Sequence, residues 1–388
     1  MGGLFLSWLT VRLLVDLSYR DADTPIYRRY GELIESGLVP YRDFAVEYPP
    51  GAPASFAPPA LVTSSLPGYT LAFEALMILC ALLALVATEA SLRRLRAPRA
   101  HSIIALLAIA ISPLALSTVA LGRYDFLPVA LVALWLALEL RDRHRPAAAV
   151  LGLGIAAKLY PLALLPIAFL WVVRRRGRHE AAVGATVTAA VCALCFLPFL
   201  VLAPGGVADS LLGQLQRPLQ LESLGASVLL AGHRLFGVDI SVETSSGSVN
   251  LVGAVPDVLA TVSSAVQVGL VLAVYVFFAR KVVPTPNHLV LASAAVVTAL
   301  VATGKVFSPQ FLLWLIVLIP LAPALIGRIA AVACLLAMLL TTSWFPFRYF
   351  ALTQAEGLQT TLLLVRNGIV LALLALLVRL LRREPGPV

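Results

Sequence analysis

The chain has 388 residues, of which 60% are hydrophobic and 13% are charged. Its apolar runs repeatedly reach the roughly 20 residues that cross a bilayer core, which excludes a water-soluble globular protein. The net charge of +9 does not indicate a nucleic-acid partner, because a basic balance in a membrane protein commonly reflects arginines on cytoplasmic loops.

The positions of the arginines predict how the chain crosses the membrane. Basic clusters lie at residues 93–99, 141–145, 174–178, 280–281 and 379–383, and we assign them to the cytoplasm. The first apolar run has neither a charged n-region nor an A-x-A cleavage site, so we interpret it as a retained span. The prediction is a multi-pass protein of a bacterial-type cytoplasmic membrane with both termini cytoplasmic.

Each crossing must reverse the side of the next loop, and this parity predicts an all-α polytopic fold with ten full crossings and one broken helix pair. The predicted crossings are residues 3–19, 69–91, 102–121, 126–140, 181–203, 258–279, 289–303, 310–326, 328–343 and 360–379. The whole chain, 1–388, is expected to form a single membrane domain. Its two long outer loops are residues 20–68 and 204–257, and we expect the polar tail 239–250 to be flexible.

Two segments do not fit a simple crossing. Residues 54–66 are short and contain Pro58 and Pro59, so we expect them to be re-entrant or interfacial. Residues 147–173 have arginine clusters at both ends and are too short for two full spans. Two short helices meeting at the "KLYP" segment, residues 158–161, satisfy both constraints, because broken helices are tolerated where they line a cavity in the protein.

The first outer loop concentrates acidic and aromatic residues in an otherwise apolar chain. Thr24 and Pro25 are expected to begin an amphipathic surface helix that ends at Gly37. Asp23 would lie at its start, where its carboxylate is placed to act as a general base at the lipid boundary. The alternative is that Asp23 is the helix N-cap.

Further along this loop, "EYPPG" (residues 47–51) is expected to be extended, because each proline restricts the backbone. A rigid Tyr48 would pack against a ligand, or the segment is a stiff connection to the next one. Later outer turns carry Arg123 and Asp125 in "GRYD", and further cations follow at Lys158, Lys305 and Arg348. Each cation alone is explained by snorkelling to the interface, whereas several on one rim suit a phosphate.

Other chemistries have no motif in the sequence. There is no G-x-x-x-x-G-K-[ST], G-x-G-x-x-G after a strand, H-E-x-x-H or G-x-S-x-G. We therefore predict no nucleotide cofactor, and we assign no metal, because the carboxylates lack the spacing of a divalent-ion site.

Several of these motifs together resemble a known family. Asp23 with Tyr27, then Gly37, "PY" at 40–41, Asp43 and "YPPG" are similar to the first outer loop of glycosyltransferase family 87. These are bacterial polyprenol-phosphate-mannose-dependent mannosyltransferases of the GT-C superfamily. "KLYP" and "SPQFLLWL" resemble two later segments of that family, while Arg123 stands where relatives often carry glutamine.

The resemblance implies an inverting glycosyltransferase that moves a sugar, by default mannose, from a polyprenyl-phosphate donor to a lipid or glycan acceptor on the extracytoplasmic side. It implies that Asp23 is the general base and that cations neutralise the departing lipid phosphate. The residues expected to bind substrate are Tyr27, Tyr41, Asp43, Glu47, Tyr48, Arg123, Asp125, Lys158, Tyr160, Lys305, Gln310 and Arg348.

Two alternatives remain open at this point. One is a transporter or flippase of a lipid-linked or phosphorylated sugar, since broken helices are also typical of transporters. The other is an enzyme of the same architecture that polymerises or ligates lipid-linked glycans.

Overall fold

The computed structural model describes residues 1–15 and 23–383. Helices make up 77% of the chain, so the all-α prediction is confirmed. Seven of the described helices are long and apolar enough to cross a membrane. They correspond to seven of the ten predicted crossings. In the described parts of the other three, 3–19, 126–140 and 310–326, the helices are shorter. The end of the first predicted span and the start of the first outer loop lie outside the described residues.

The chain forms two compact units, Met1–Leu215 and Gln216–Val388. In the first unit the helices are α1 Gly2–Leu14, α2 Thr24–Glu35, α3 Ala57–Val62, α4 Leu66–Arg94, α5 Arg99–Leu116, α6 Thr118–Gly122, α7 Phe126–Glu139, α8 His144–Ala157, α9 Leu165–Arg176, α10 Arg178–Leu202 and α11 Pro204–Leu215. Short 3-10 turns at Ala52–Ser55 and Tyr160–Leu164 join some of them.

The core of the first unit is a row of helices in which α7 packs between α4 and α8, and α8 packs between α7 and α10. The α8–α10 contact is close because Gly152 has no side chain: a Cβ there would lie 2.8 Å from the carbonyl oxygen of Thr188. Thr188 in turn donates a hydrogen bond to the carbonyl of Ala148 at 2.9 Å. Small residues therefore set the spacing of these helices, as is usual in membranes.

The predicted break at residues 158–161 is present. Helix α8 ends at Ala157, Lys158 is extended, and the chain continues through the 3-10 turn into α9. Pro161 and Pro166 lie in the first turns of the two following helical segments, where they cannot continue α8. Within residues 54–66, the 3-10 turn that ends at Ser55 is followed by α3, and α4 begins at Leu66. Helix α3 has six residues and is too short to cross a bilayer.

In the second unit the elements are β1 Leu219–Gln220, α12 Leu224–Phe236, β2 Ser241–Ser245, β3 Ser248–Val252, α13 Ala254–Ala279, α14 Pro286–Thr303, α15 Leu312–Ile316, α16 Ala324–Thr342, α17 Tyr349–Thr353 and α18 Gly357–Arg383. Helix α14 is the most deeply buried of the seven long apolar helices, and it packs against α13 and α18.

Three details differ from the sequence prediction. The prediction that residues 239–250 are flexible is wrong, because they contain strand β2 and the start of its antiparallel partner β3. Strand β1 pairs with the other edge of β3. Ser246 and Gly247 form the two-residue turn between them, both with positive φ, as a type I′ hairpin requires. Residues 102–121 are interrupted at Ser117, which has a positive φ. Residues 310–326 are broken by prolines into α15 flanked by 3-10 turns.

Candidate active site

Asp23 lies directly before the first residue of α2, in the N-cap position, which was the alternative that the sequence left open. Its side chain makes no capping hydrogen bond to the helix. Instead, Oδ2 accepts a hydrogen bond from the Tyr27 hydroxyl at 3.2 Å and forms an ion pair with Arg123. The Asp23 carboxylate is thus directed at side chains of the unit and away from the helix backbone.

A second ion pair neighbours the first in sequence. Lys158 Nζ donates to Asp125 Oδ1 at 2.7 Å, and the Asp125 side chain is 1% exposed against 15% for Lys158. Asp23, Arg123, Asp125 and Lys158 make up what we call the charge cluster. It has two carboxylates and two cations, so its formal charge is zero. Three separate stretches of the first unit contribute to it: the start of α2, the turn before α7, and the break after α8.

Burial and the neighbouring charges act in opposite directions on Arg123. Burial lowers the pKa of Arg123, but the Asp23 carboxylate, assisted by Tyr27 and Tyr48, raises it more, so the guanidinium stays charged. Burial, with a smaller contribution from Tyr48 and then Asp23, raises the pKa of Tyr27 well above its usual value. The Tyr27 hydroxyl is therefore a stable hydrogen-bond donor to Asp23.

Aromatic rings enclose the charge cluster. Tyr27 stacks on Phe56 with ring centroids 4.5 Å apart, and Tyr48 meets the edge of Tyr124 at 5.0 Å. Lys158 Nζ lies 4.5 Å from the centre of the Tyr124 ring, a cation–π distance. We call Tyr27, Tyr48, Phe56 and Tyr124 the aromatic wall. The Tyr124 hydroxyl is buried and has no hydrogen-bond partner among the residues that the structure describes.

The "YPPG" segment of the first loop reaches the break after α8. Gly51 N–H donates to the carbonyl of Ala156 at 2.8 Å. A Cβ on Gly51 would lie 2.6 Å from the carbonyl carbon of Ala156, so only glycine allows this approach. The contact places Tyr48 and Lys158 in one neighbourhood, a function of Gly51 that the sequence did not reveal.

The other first-loop residues have different surroundings. Tyr41 is buried and its hydroxyl donates to the carbonyl of Tyr48 at 2.6 Å, so it positions the aromatic wall.

Asp43 is exposed. Its carboxylate accepts a hydrogen bond from Val39 N–H at 2.7 Å and pairs with Arg42, which holds the pKa of the Asp43 carboxyl below the usual range. Asp43 therefore shapes its own turn. The Glu47 side chain is exposed, and its carbonyl accepts a hydrogen bond from the Gln214 side chain at 3.1 Å. Tyr160 is buried beside Asp125.

Lys305, Gln310 and Arg348 belong to the second unit. Gln220 fixes the loop that carries Lys305: its N–H donates to the Lys305 carbonyl at 2.9 Å, and its Oε1 accepts from Phe307 N–H at 2.8 Å. Burial, and then Arg217, lowers the pKa of Lys305. Gln310 is buried and Arg348 is exposed.

The second unit also contains a buried polar group that the sequence analysis did not single out. Arg366, inside the long helix α18, is completely buried and donates to the carbonyl of Glu222 at 3.0 Å. Its guanidinium carbon lies 3.7 Å from the centre of the Phe307 ring. The Glu222 carboxyl accepts from Tyr349 at 2.9 Å, and burial raises its pKa to about 7. A charged residue inside an apolar run, "LLLVRNGIV", was the signal for this site.

Fold and site together define the class: an all-α membrane protein whose first long loop encloses a buried charge cluster at the break of a helix. Among the described residues, no group of three His, Cys, Asp or Glu side chains is placed to hold a metal ion. The chain belongs to glycosyltransferase family 87, whose family model matches residues 46–309, more than half of the chain. This is a GT-C-type family of membrane glycosyltransferases, as the resemblance indicated. A search of curated proteins gave no match.

The matched range tells which motifs the family model supports. It includes Tyr48–Gly51 and Lys158–Pro161, the two segments that meet at the Gly51 contact. It begins after Asp23, so the role of Asp23 depends on the resemblance and on the geometry described above.

Proposed function

We propose that this membrane glycosyltransferase is inverting, with a polyprenyl-phosphate sugar donor, mannose as the sugar, and a lipid or glycan acceptor. We further propose that the reaction takes place on the extracytoplasmic side with Asp23 as the general base. The observation that carries the proposal is the position of the Asp23 carboxylate. It makes no capping hydrogen bond to α2, and Tyr27 and Arg123 hold it in place within the charge cluster.

The proposed step balances in atoms and charge. The acceptor hydroxyl oxygen forms a bond to the anomeric carbon while the bond from that carbon to the lipid phosphate oxygen breaks. Asp23 takes the hydroxyl proton, and the phosphate leaves with the bonding electron pair. Inversion follows because nucleophile and leaving group occupy opposite sides of the carbon.

The pairing of Asp23 with Arg123 links removal of the acceptor proton to departure of the lipid phosphate. Before reaction the charge cluster is neutral. When Asp23 becomes protonated, Arg123 loses its counter-charge and the cluster has a net charge of +1. The phosphate gains one negative charge at the same moment, so the positive charge arises when the transition state needs it. The resemblance assigns donor binding to Lys158 as well, and to Lys305, Gln310 and Arg348 in the second unit; these roles stay proposals.

The aromatic wall supplies surfaces for a sugar. Aromatic side chains offer apolar faces against which a sugar ring packs, and the buried Tyr124 hydroxyl, which has no hydrogen-bond partner in the described part of the chain, is available to a sugar hydroxyl.

The test is transfer of radiolabel from polyprenyl-phosphate-mannose to a membrane lipid extract by the purified protein in detergent. Asp23→Asn keeps the size of the side chain and removes its basicity, and we expect it to reduce transfer at least a hundredfold. Asp209→Asn, an exposed carboxylate in the same unit, is the matched control and should transfer normally. Normal transfer by Asp23→Asn would disprove the base assignment.

Failure of the wild-type protein to transfer mannose would overturn the proposed donor sugar or acceptor. The break after α8 is also typical of transporters, so a flipping assay in sealed liposomes would then follow. Only an enzyme yields a covalent product without a sealed compartment.

A further inference from the structure

The loop that carries Lys305 has no helix or strand of its own. Helix α14 ends at Thr303, and the chain becomes helical again at Pro309, in a 3-10 turn. Lysine is a point charge on a flexible stem, so the place of the Lys305 ammonium depends on how firmly the backbone beneath it is fixed. Residues 304–308, which we call the lysine loop, therefore need support from other parts of the second unit.

Gln220, the last residue of β1, supports the lysine loop through three hydrogen bonds. Its backbone N–H donates to the Lys305 carbonyl at 2.9 Å, its Oε1 accepts from Phe307 N–H at 2.8 Å, and its Nε2 donates to Ser308 Oγ at 3.0 Å. Because Gln220 is buried, bulk water does not readily replace these bonds when one of them is lost. Both ends of one side-chain amide thus hold the lysine loop.

Gln220 is itself held on two sides. Strand β1 pairs with β3, and Gln220 lies opposite Asn250 in that register. Two residues after Gln220, the Glu222 carbonyl accepts from Arg366 of α18 at 3.0 Å. The Arg366 guanidinium also packs on the Phe307 ring. Helix α18 therefore supports both the segment that carries Gln220 and the lysine loop to which Gln220 is bonded.

A second cation belongs to the same segment. Arg217 is three residues before Gln220, and its Nη2 donates to the Ser246 carbonyl and to Ser248 Oγ, both at 3.0 Å. Burial, and then the Arg217 charge, lowers the pKa of Lys305, as expected for neighbouring cations. Neighbouring cations repel each other, and a phosphate bound to both would offset the repulsion. A fixed lysine loop keeps Lys305 in place despite this repulsion.

We propose that Gln220 is a positioning residue for donor binding: it holds the lysine loop so that the Lys305 ammonium, beside Arg217, contacts the donor phosphate. Gln220 itself does not contact the donor and acts through Lys305. The inference rests on the proposed function, because it takes a polyprenyl-phosphate sugar as the donor. It adds Gln220 and Arg217 to the residues on which donor binding depends.

The experiment is a double-mutant cycle on the purified full chain in neutral detergent, with the affinity for polyprenyl phosphate as the readout. Gln220→Met keeps the length of the side chain but removes both amide contacts, and it should weaken binding about tenfold. Lys305→Met should weaken binding by a similar factor. In the double variant, Gln220→Met should add less than about twofold, because its effect passes through Lys305. A purely structural role would weaken binding equally with and without Lys305.

Two further variants complete the design. Gln359 is a buried glutamine of α18 whose Oε1 has no hydrogen-bond partner among the described residues, so Gln359→Met is the matched control and should bind normally. Ser308→Ala removes one of the three bonds and should weaken binding by about threefold, which tests the inference even where Gln220→Met does not fold. Unchanged binding by Ser308→Ala and Gln220→Met, or additive losses in the cycle, would overturn the inference.

Sugar transfer, measured beside binding, separates this inference from the proposed function. Gln220→Met should reduce kcat/KM for the donor about tenfold and leave the KM of the acceptor unchanged. Normal transfer by both the wild type and Gln220→Met would overturn the role of Gln220 and leave the proposed function intact. Absence of transfer by the wild type would overturn the proposed function, whereas the binding cycle would still decide the role of Gln220. Absence of polyprenyl-phosphate binding by the wild type would overturn the inference.

Discussion

Gly206 and Gly205 are adjacent glycines in α11 with opposite surroundings, and replacing each by alanine tests how α11 supports the first loop. A Cβ on Gly206 would lie 2.9 Å from the carbonyl carbon of Tyr41 and closer still to its oxygen. A Cβ on Gly205 would meet nothing within 4 Å. Both contacts at Gly206 involve backbone atoms, which a rotamer change cannot relieve.

The cost of Gly206→Ala follows from what Tyr41 holds in place. Tyr41 has a positive φ of 69°, so its backbone has little freedom to adjust. Displacing it strains the packing by about 1–3 kcal/mol and weakens its hydrogen bond to the Tyr48 carbonyl, worth about 1 kcal/mol. We expect a loss of roughly 2–4 kcal/mol in the free energy of unfolding. Gly205→Ala should be neutral or stabilising by up to about 1 kcal/mol.

The measurement is denaturant unfolding in detergent, combined with proteolysis of the first loop. Gly206→Ala should unfold at lower denaturant concentration and expose residues 38–48 to cleavage, and it should reduce transferase activity because Tyr48 belongs to the aromatic wall. Equal stability of the two alanine variants would refute the close approach of α11 to Tyr41.

Three further predictions concern other contacts. Lys158→Met leaves the buried Asp125 carboxylate without its ion-pair partner and should cost about 3–5 kcal/mol of unfolding free energy. Adding Asp125→Asn to the same chain should restore much of this loss. An unfolding midpoint that Lys158→Met does not change would contradict the pairing. Gly51→Ala should separate the first loop from α8 and cost about 1–3 kcal/mol, seen as a lower unfolding midpoint, with Gly213→Ala, which meets nothing within 4 Å, as control. The third concerns pH. The ordinary pKa of a glutamate is 4.5, and that of Glu222 is raised to about 7. The second unit should therefore lose roughly 3 kcal/mol of stability in total as pH rises from 4.5 to about 7.

The sign of the pH effect follows from which state keeps the proton. Below pH 4.5 the Glu222 carboxyl is neutral in both states, and the stabilisation is fully present. As pH rises, the unfolded chain releases its proton first, so unfolding becomes more favourable until the native carboxyl also ionises near pH 7. Glu222→Gln should remove this part of the dependence in unfolding curves recorded from pH 4 to 8. An unchanged dependence would show that another group causes it.

Features that depend on neighbours in sequence were predictable. The runs of apolar residues identified the long helices. The arginine clusters at both ends of residues 147–173, together with a length too small for two full spans, identified the break at Lys158. The hairpin at Ser246 and Gly247 was missed although its two-residue turn is a local signal, since the polar composition of residues 239–250 was taken to indicate flexibility.

The contacts between side chains that are distant in sequence could not be predicted. The sequence identified Asp23, Arg123, Asp125 and Lys158 as separate candidates, but the pairing of Asp23 with Arg123 and of Asp125 with Lys158 depends on how α2, α7 and α8 pack. The close approach of Gly51 to Ala156, and the burial of Arg366 against Phe307, likewise depend on backbone positions that are distant in sequence. Composition and proline positions determine where helices run in a membrane, because the bilayer acts on each segment locally; only tertiary packing decides which charges meet.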